Sequence, residues 1–225
     1  MALASVPCRV VVLISGRGSN LQSLIDGRQR GELPIELRAA ISDEPDAAGL
    51  GRATRADIPT SVVAFDSFPR RADFERALAD TTESFSPDLV VLAGFMRILS
   101  NWFVDQFAGR MLNIHPSLLP KYPGLNTHRR AIAAGDSEHG ASVHFVTRDL
   151  DGGPVIVQAR VPVCSDDTPE RLAERVLARE HQILPLAVRW YAQNKLSVRG
   201  STVYFEGQPL PGPMLHRPNG VEIRE

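Results

Sequence analysis

Apolar positions along the chain cluster first in short runs at 10–15, 35–42, 61–65, 88–93 and 111–115, rich in Val, Ile and Leu and too short for helices. Between them, 21–28, 47–56 and 74–85 carry apolar residues at helical spacing. This alternation predicts βα repeats, an α/β fold built on an open, mostly parallel sheet with helices on both faces. The near-continuous apolar character of the runs fits strands covered on both sides.

The pattern changes after 115. From 116 to 138 no clear period is seen, and Pro120, Pro123, Gly124 and Gly135 punctuate a long connector in which 127–134 forms a short helix. Strands follow at 142–146 and 155–163. Thr168 then caps a helix that has Pro169 in its first turn and Leu172, Val176, Leu177, Ile183 and Leu184 on one broad face. Runs at 196–199 and 202–205 around Gly200-Ser201 read as a hairpin, and Pro209, Pro211, Pro213 and Pro218 predict a loose tail. The organisation expected is a single domain over 1–208 and a proline-bearing tail over 209–225.

Size and charge narrow the functions open to this fold. A chain of 225 residues buries a core without metal or disulfide. With Lys+Arg 25 against Asp+Glu 26 it has no global field for nucleic acid or a lipid surface, so the expected ligands are small molecules. Cys8 and Cys164 stand far apart in no metal- or redox-type spacing, and the apolar run at 10–14 is too short to span a bilayer. A soluble cytoplasmic protein is expected. Oligomeric state is left open, a homodimer among the options.

The chemistry concentrates in two places. Asn113-Ile114-His115-Pro116 ends the fifth run, and Leu150-Asp151-Gly152-Gly153 follows downstream, so an amide, an imidazole and a carboxylate are offered together. An amide donates to a developing oxyanion, an imidazole relays a proton and a carboxylate orients it, a set suited to acyl transfer. Taken singly, His115 and Asp151 read as turn residues; taken with the other motifs of the chain, they read as catalytic. Gly16-Arg17-Gly18-Ser19-Asn20 links the first strand to the first helix, where backbone N–H groups converge on an anion. Its alternative is a tight turn with Ser19 or Asn20 as helix cap.

A dinucleotide site is the rival for that loop, with Asp43 and Glu44 on a ribose, but Leu21 stands where the fingerprint needs its third Gly. The run Gly94 to Leu99 leaves the fourth strand with Phe95, Met96, Ile98 and Leu99, which suit either a flat ligand or packing under a helix. On local sequence Glu180 is a solvated helix residue, and His139 and His144 are structural or pocket-lining groups. The six histidines show no metal-ligand spacing, so no metal is expected.

The pieces LISGRGSNLQ, VVLAGFMRILS, NIHPSLLPKYPGLNTHR, EHGASVHFV and LDGGPVIVQ resemble, in order and spacing over about 10–190, the phosphoribosylglycinamide formyltransferase family. That resemblance implies a Rossmann-like formyltransferase fold. It also implies transfer of a formyl group from 10-formyltetrahydrofolate to the amine of glycinamide ribonucleotide in purine synthesis, with no metal. By position it assigns Asn113, His115 and Asp151 to catalysis. It assigns Gly18, Ser19, Asn20 and Glu180 to the ribonucleotide, and Arg71, Met96, Arg97, Ile98, Leu99, Asn113 and Leu150 to the folate. Arg17 and Asn126 depart from the family, which often has Asn and sometimes His there. The alternatives kept are a formyl-folate hydrolase, a formyltransferase acting on aminoacyl-tRNA or a sugar amine, and a non-catalytic nucleotide-binding regulator. The length of the chain and its near-zero charge weigh against the first two.

Overall fold

The computed structural model describes residues 6–217 and 220–222. The chain divides into two compact units, Met1–Leu99 and Ser100–Glu225. In the first, the strands are β1 (Cys8–Ile14), β2 (Ile35–Ser42), β3 (Thr60–Val62) and β4 (Leu89–Leu92), alternating with helices α1 (Ser19–Gln29), α2 (Ala48–Arg55) and α3 (Arg71–Ser84). The strand order β4-β1-β2-β3 is parallel throughout. Val10 through Ile14 are fully buried, as a central strand covered on both faces requires.

Because β1 and β4 are neighbours, the loops leaving their carboxyl ends lie side by side. The Ser15 N–H donates to the Gly94 carbonyl at 3.1 Å, and the Met96 N–H donates to Ser15 Oγ at 2.8 Å. Some boundaries differ from the pattern reading, β3 and α3 among them. β3 stops at Val62 and is followed by a 3-10 turn at Phe65–Ser67, and α3 begins at Arg71 rather than 74.

The second unit holds α4 (Asn101–Gln106), β5 (Met111–His115), α5 (Thr127–Ala133), β6 (Glu138–Phe145), β7 (Val155–Pro162) and α6 (Pro169–Ala192). β5 pairs with β6 and β6 with β7, both antiparallel, in contrast to the all-parallel order β4-β1-β2-β3 of the first unit. Thr168 caps α6, its side chain accepting from the Arg171 N–H, and α6 packs across β6 and β7. Strands β8 (Leu196–Arg199) and β9 (Thr202–Phe205) form the expected hairpin, joined by β10 (Gln208–Pro209).

The expectation of a loose tail is corrected. β11 (Met214–Arg217) runs parallel to β7, and β12 (Gly220–Glu222) pairs with β11. Met214 and Leu215 are buried. Pro209, Pro211 and Pro213 stand before β11 rather than within it, where their fixed φ is compatible with an extended approach to a strand. Pro218 lies outside the described residues.

Candidate active site

In the second unit, the antiparallel register sets Asn113 opposite His144 and His115 opposite Ser142. Residues two apart on a strand share a face, so Asn113, His115 and His144 project to the same side. Pro116 ends β5 there. Asp151 arrives from the turn after β6, which closes with the Gly152 N–H donating to the Asp149 carbonyl at 3.0 Å. The turn holds Asp151 in the left-handed region, at φ 50. Gly153 follows because nothing larger fits: a Cβ there would lie 1.8 Å from the Phe145 carbonyl oxygen.

The three expected catalytic residues converge. His115 Nδ1 lies 3.4 Å from Asp151 Oδ2, and Asn113 Nδ2 donates to Asp151 Oδ1 at 3.4 Å. Asp151 Oδ2 also accepts the Gly124 N–H at 2.8 Å. His115 Nε2 stands 2.9 Å from the Tyr122 carbonyl, an acceptor only, so that nitrogen carries a proton and Nδ1 is the one turned to Asp151.

His144 joins this group, in line with the pocket-lining alternative of the sequence reading. Its Nδ1 sits 2.9 Å from the Phe145 carbonyl and therefore bears the hydrogen, leaving Nε2 to accept from Asn113 Nδ2 at 3.1 Å. Burial pushes the His144 imidazole below its usual range, which keeps it neutral and keeps Nε2 an acceptor. The Asn113 amide is thereby oriented with its NH2 toward His144 and Asp151. One N–H is held firmly and the other makes a long bond that a stronger acceptor can displace.

The loop from 116 to 126 is pinned from behind. The Tyr122 hydroxyl donates to Asp136 Oδ2 and Lys121 Nζ to Asp136 Oδ1, each at 2.8 Å, and these two donors hold the Asp136 carboxyl below its ordinary range. The Leu119–Pro120 peptide is cis. His128 Nδ1 meets His139 Nε2 at 3.2 Å, and burial lowers the His139 imidazole to about 4. Leu150, next to Asp151, exposes its side chain.

In the first unit, Gly18 is the N-cap of α1 with φ 66, and no side chain caps the helix. Ser19 and Asn20 are first-turn residues, so the capping alternative for them does not apply. The N–H groups of a helix's first turn have no intrahelical acceptor and converge on an anion. The reason for glycine at 18 is packing as well as φ: a Cβ would lie 2.5 Å from Gly49 Cα of α2. The Gly49 N–H donates to the Gly16 carbonyl at 2.9 Å, and Arg52 Nε to the Arg17 carbonyl at 2.8 Å, so α2 holds the loop in shape.

The run from Gly94 to Leu99 is fixed at several points. Arg71, the first residue of α3, donates through Nη2 to the Ile98 carbonyl at 2.6 Å and through Nε to Glu75 at 2.8 Å. Met96 and Ile98 present their side chains outward, 64% and 61% exposed. Arg97 donates to Asp43 and to Glu44, each at 2.6 Å. The two carboxylates proposed for a dinucleotide ribose are therefore occupied by an arginine, which removes the support for that ligand. Glu180 on α6 is 8% exposed, so it is not the solvated helix residue that local sequence indicates.

Among the described residues no helix is long and apolar enough to cross a membrane, and no group of His, Cys, Asp or Glu is arranged to hold a metal ion.

An amide, an imidazole and a carboxylate thus meet on an α/β scaffold, a set that suits acyl transfer. In agreement, the formyl transferase family model matches residues 8–188. The phosphoribosylglycinamide formyltransferase of Escherichia coli (strain K12) is 51% identical over 202 residues, covering 90% of this chain and 95% of that protein. That of Haemophilus influenzae is 45% identical over 203 residues, covering 90% and 96%. The solved phosphoribosylglycinamide formyltransferase of Coxiella burnetii superimposes with a TM-score of 0.87 at 54% identity, covering 91% of this chain and 96% of that one. The chain belongs to the phosphoribosylglycinamide formyltransferases, an enzyme family within the formyl transferases.

Proposed function

We propose that this enzyme transfers the formyl group of 10-formyltetrahydrofolate to the amine of glycinamide ribonucleotide, in the cytoplasm, by direct attack of the amine on the formyl carbon. The observation that carries the reading is the convergence of Asn113, His115 and Asp151 within 3.4 Å contacts. Family membership supports the reaction, and the geometry supports the roles.

The attack creates an oxyanion and leaves a surplus proton on the incoming nitrogen, while the departing folate nitrogen needs one. Asn113 Nδ2 supplies the first oxyanion donor by exchanging its long bond to Asp151 for one to substrate. His115, when protonated, supplies the second through Nδ1, since Nε2 is engaged by the Tyr122 carbonyl. Asp151 orients His115 and takes part in moving the proton from amine to leaving group, directly or through water. No covalent enzyme intermediate is needed.

The uncapped start of α1, with Gly18, Ser19 and Asn20, is assigned to the ribonucleotide phosphate. Glu180 is assigned to a contact elsewhere on the same substrate. Arg71, Met96, Ile98, Leu99, Asn113 and Leu150 are assigned to the folate. Arg97 belongs to that group through its backbone and stem, its guanidinium being engaged by Asp43 and Glu44. Holding both reactants in register removes translational and rotational entropy from the barrier, an effect of up to ~7–11 kcal/mol for well-oriented groups.

The test is an assay with both substrates that follows the formylated ribonucleotide. Release of free formate without the acceptor would instead support the hydrolase reading.

A further inference from the structure

Asp43 follows β2, and its side chain is 0% exposed. A carboxylate so placed is costly unless it is paired and hydrogen-bonded. Its Oδ1 has no hydrogen-bond donor within reach among the described residues, so compensation comes through Oδ2, which Arg97 Nε meets at 2.6 Å. The guanidinium's second edge goes to Glu44 Oε1 at 2.6 Å, and its face lies 4.2 Å from the centre of the Phe65 ring. One planar cation is thus gripped on two edges and one face, an arrangement that fixes its orientation rather than only its charge.

The backbone that carries Arg97 also carries Met96 and Ile98, the outward-facing apolar residues of the run from Gly94 to Leu99. Its other anchors are the Gly94 carbonyl and Met96 N–H on Ser15 and the Ile98 carbonyl on Arg71. These anchors grip main chain before and after Arg97. The side chain of Arg97 adds a further tie at the middle of the exposed stretch. Two exposed apolar side chains on an immobilised loop form a ledge that meets a flat ligand without first ordering itself, which lowers the entropic cost of binding.

We infer that Asp43 and Glu44 are positioning residues for the formyl donor. By clamping the Arg97 guanidinium away from the ligand, they hold the 94–99 backbone as a preformed platform for the donor's heterocycle. The inference rests on the proposed assignment of that run to the folate. It adds two carboxylates that never touch the ligand, and it assigns Arg97 to the loop's architecture rather than to attraction of an anion. The local charge agrees: Arg97 is set against Asp43 and Glu44, with Asp66 also acting on it.

The test compares wild type, Asp43→Asn, Glu44→Gln and the double variant by steady-state kinetics with formyl donor and ribonucleotide acceptor varied separately. Circular dichroism melts establish that each variant is folded. The expected result for Asp43→Asn is a donor KM raised about tenfold with kcat and acceptor KM within about twofold of wild type, the signature of lost uniform binding of one substrate. Glu44→Gln, at a half-exposed position, is expected to raise the donor KM about threefold with the same selectivity, and it carries the test alone if Asp43→Asn does not fold. Equal rises in both KM values, or an unchanged donor KM, would overturn the inference while leaving the proposed function standing. A wild-type enzyme that transfers no formyl group would overturn both.

Discussion

Asn113 and His144 face each other across the antiparallel β5–β6 ladder, with Asn113 Nδ2 donating to His144 Nε2 at 3.1 Å. This one contact orients the amide proposed as an oxyanion donor, because the Phe145 carbonyl leaves His144 Nε2 no role but acceptor. Asn113→Ala is expected to lower kcat by about a hundredfold to a thousandfold, the usual effect of removing one oxyanion donor. Acceptor affinity should be retained. Turnover near wild type in a steady-state assay would take Asn113 out of the mechanism.

Asp151→Asn isolates charge from shape. Asn tolerates the left-handed backbone that Asp151 adopts, and its Oδ1 can still accept from Gly124, so the melting temperature should stay within a few degrees of wild type. The rate should fall by about a hundredfold or more, since the amide offers His115 no negative charge. A pH–rate profile superimposable on that of wild type would contradict the role.

Gly18→Ala tests the loop at the start of α1. The substitution asks an L side chain to hold φ 66 and brings its Cβ within 2.5 Å of Gly49 Cα, so α2 must move. Strain of roughly 1–2 kcal/mol from the backbone alone is expected, together with a raised acceptor KM. Calorimetric melts and acceptor titration check both halves, and an unchanged acceptor KM would argue against phosphate binding there.

Stability should decline on acidification. His139 has its folded value lowered to about 4 by burial, while the unfolded imidazole titrates near its ordinary value of 6.5. His128 and His144 are lowered in the same direction, chiefly by burial. Above that unfolded value both states are neutral and contribute no slope. As pH falls below it the unfolded chain takes up protons that the native state refuses, so stability drops by up to about 1.4 kcal/mol per pH unit for each such group. Replacing His139 with Gln should flatten the fall in melting temperature between pH 7 and 5. An unchanged slope would remove His139 as a source.

The βα alternation of the first unit is legible in the sequence because strands covered on both faces must be apolar throughout, and the motif around Asn113 because its residue types suit only a few chemistries. Residues outside these motifs are harder to read. The sequence leaves His144 as structural or pocket-lining and gives it no partner, because its partnership with Asn113 comes from strand pairing, which a one-dimensional pattern does not contain. Glu180 reads as solvated because burial of a helix face is decided by the elements that pack on it. The tail reads as loose because prolines mark where regular structure pauses and carry no signal of a strand resuming beyond them. Asp43 and Glu44 suit a ribose on local sequence, whereas a residue more than fifty positions away takes them up.

Formation of formylated glycinamide ribonucleotide from 10-formyltetrahydrofolate by the purified enzyme is the most direct measurement. Stoichiometric appearance of that product with loss of the formyl donor, dependent on the acceptor, is the predicted result. Donor consumption that proceeds equally without acceptor, or no consumption at all, would contradict it.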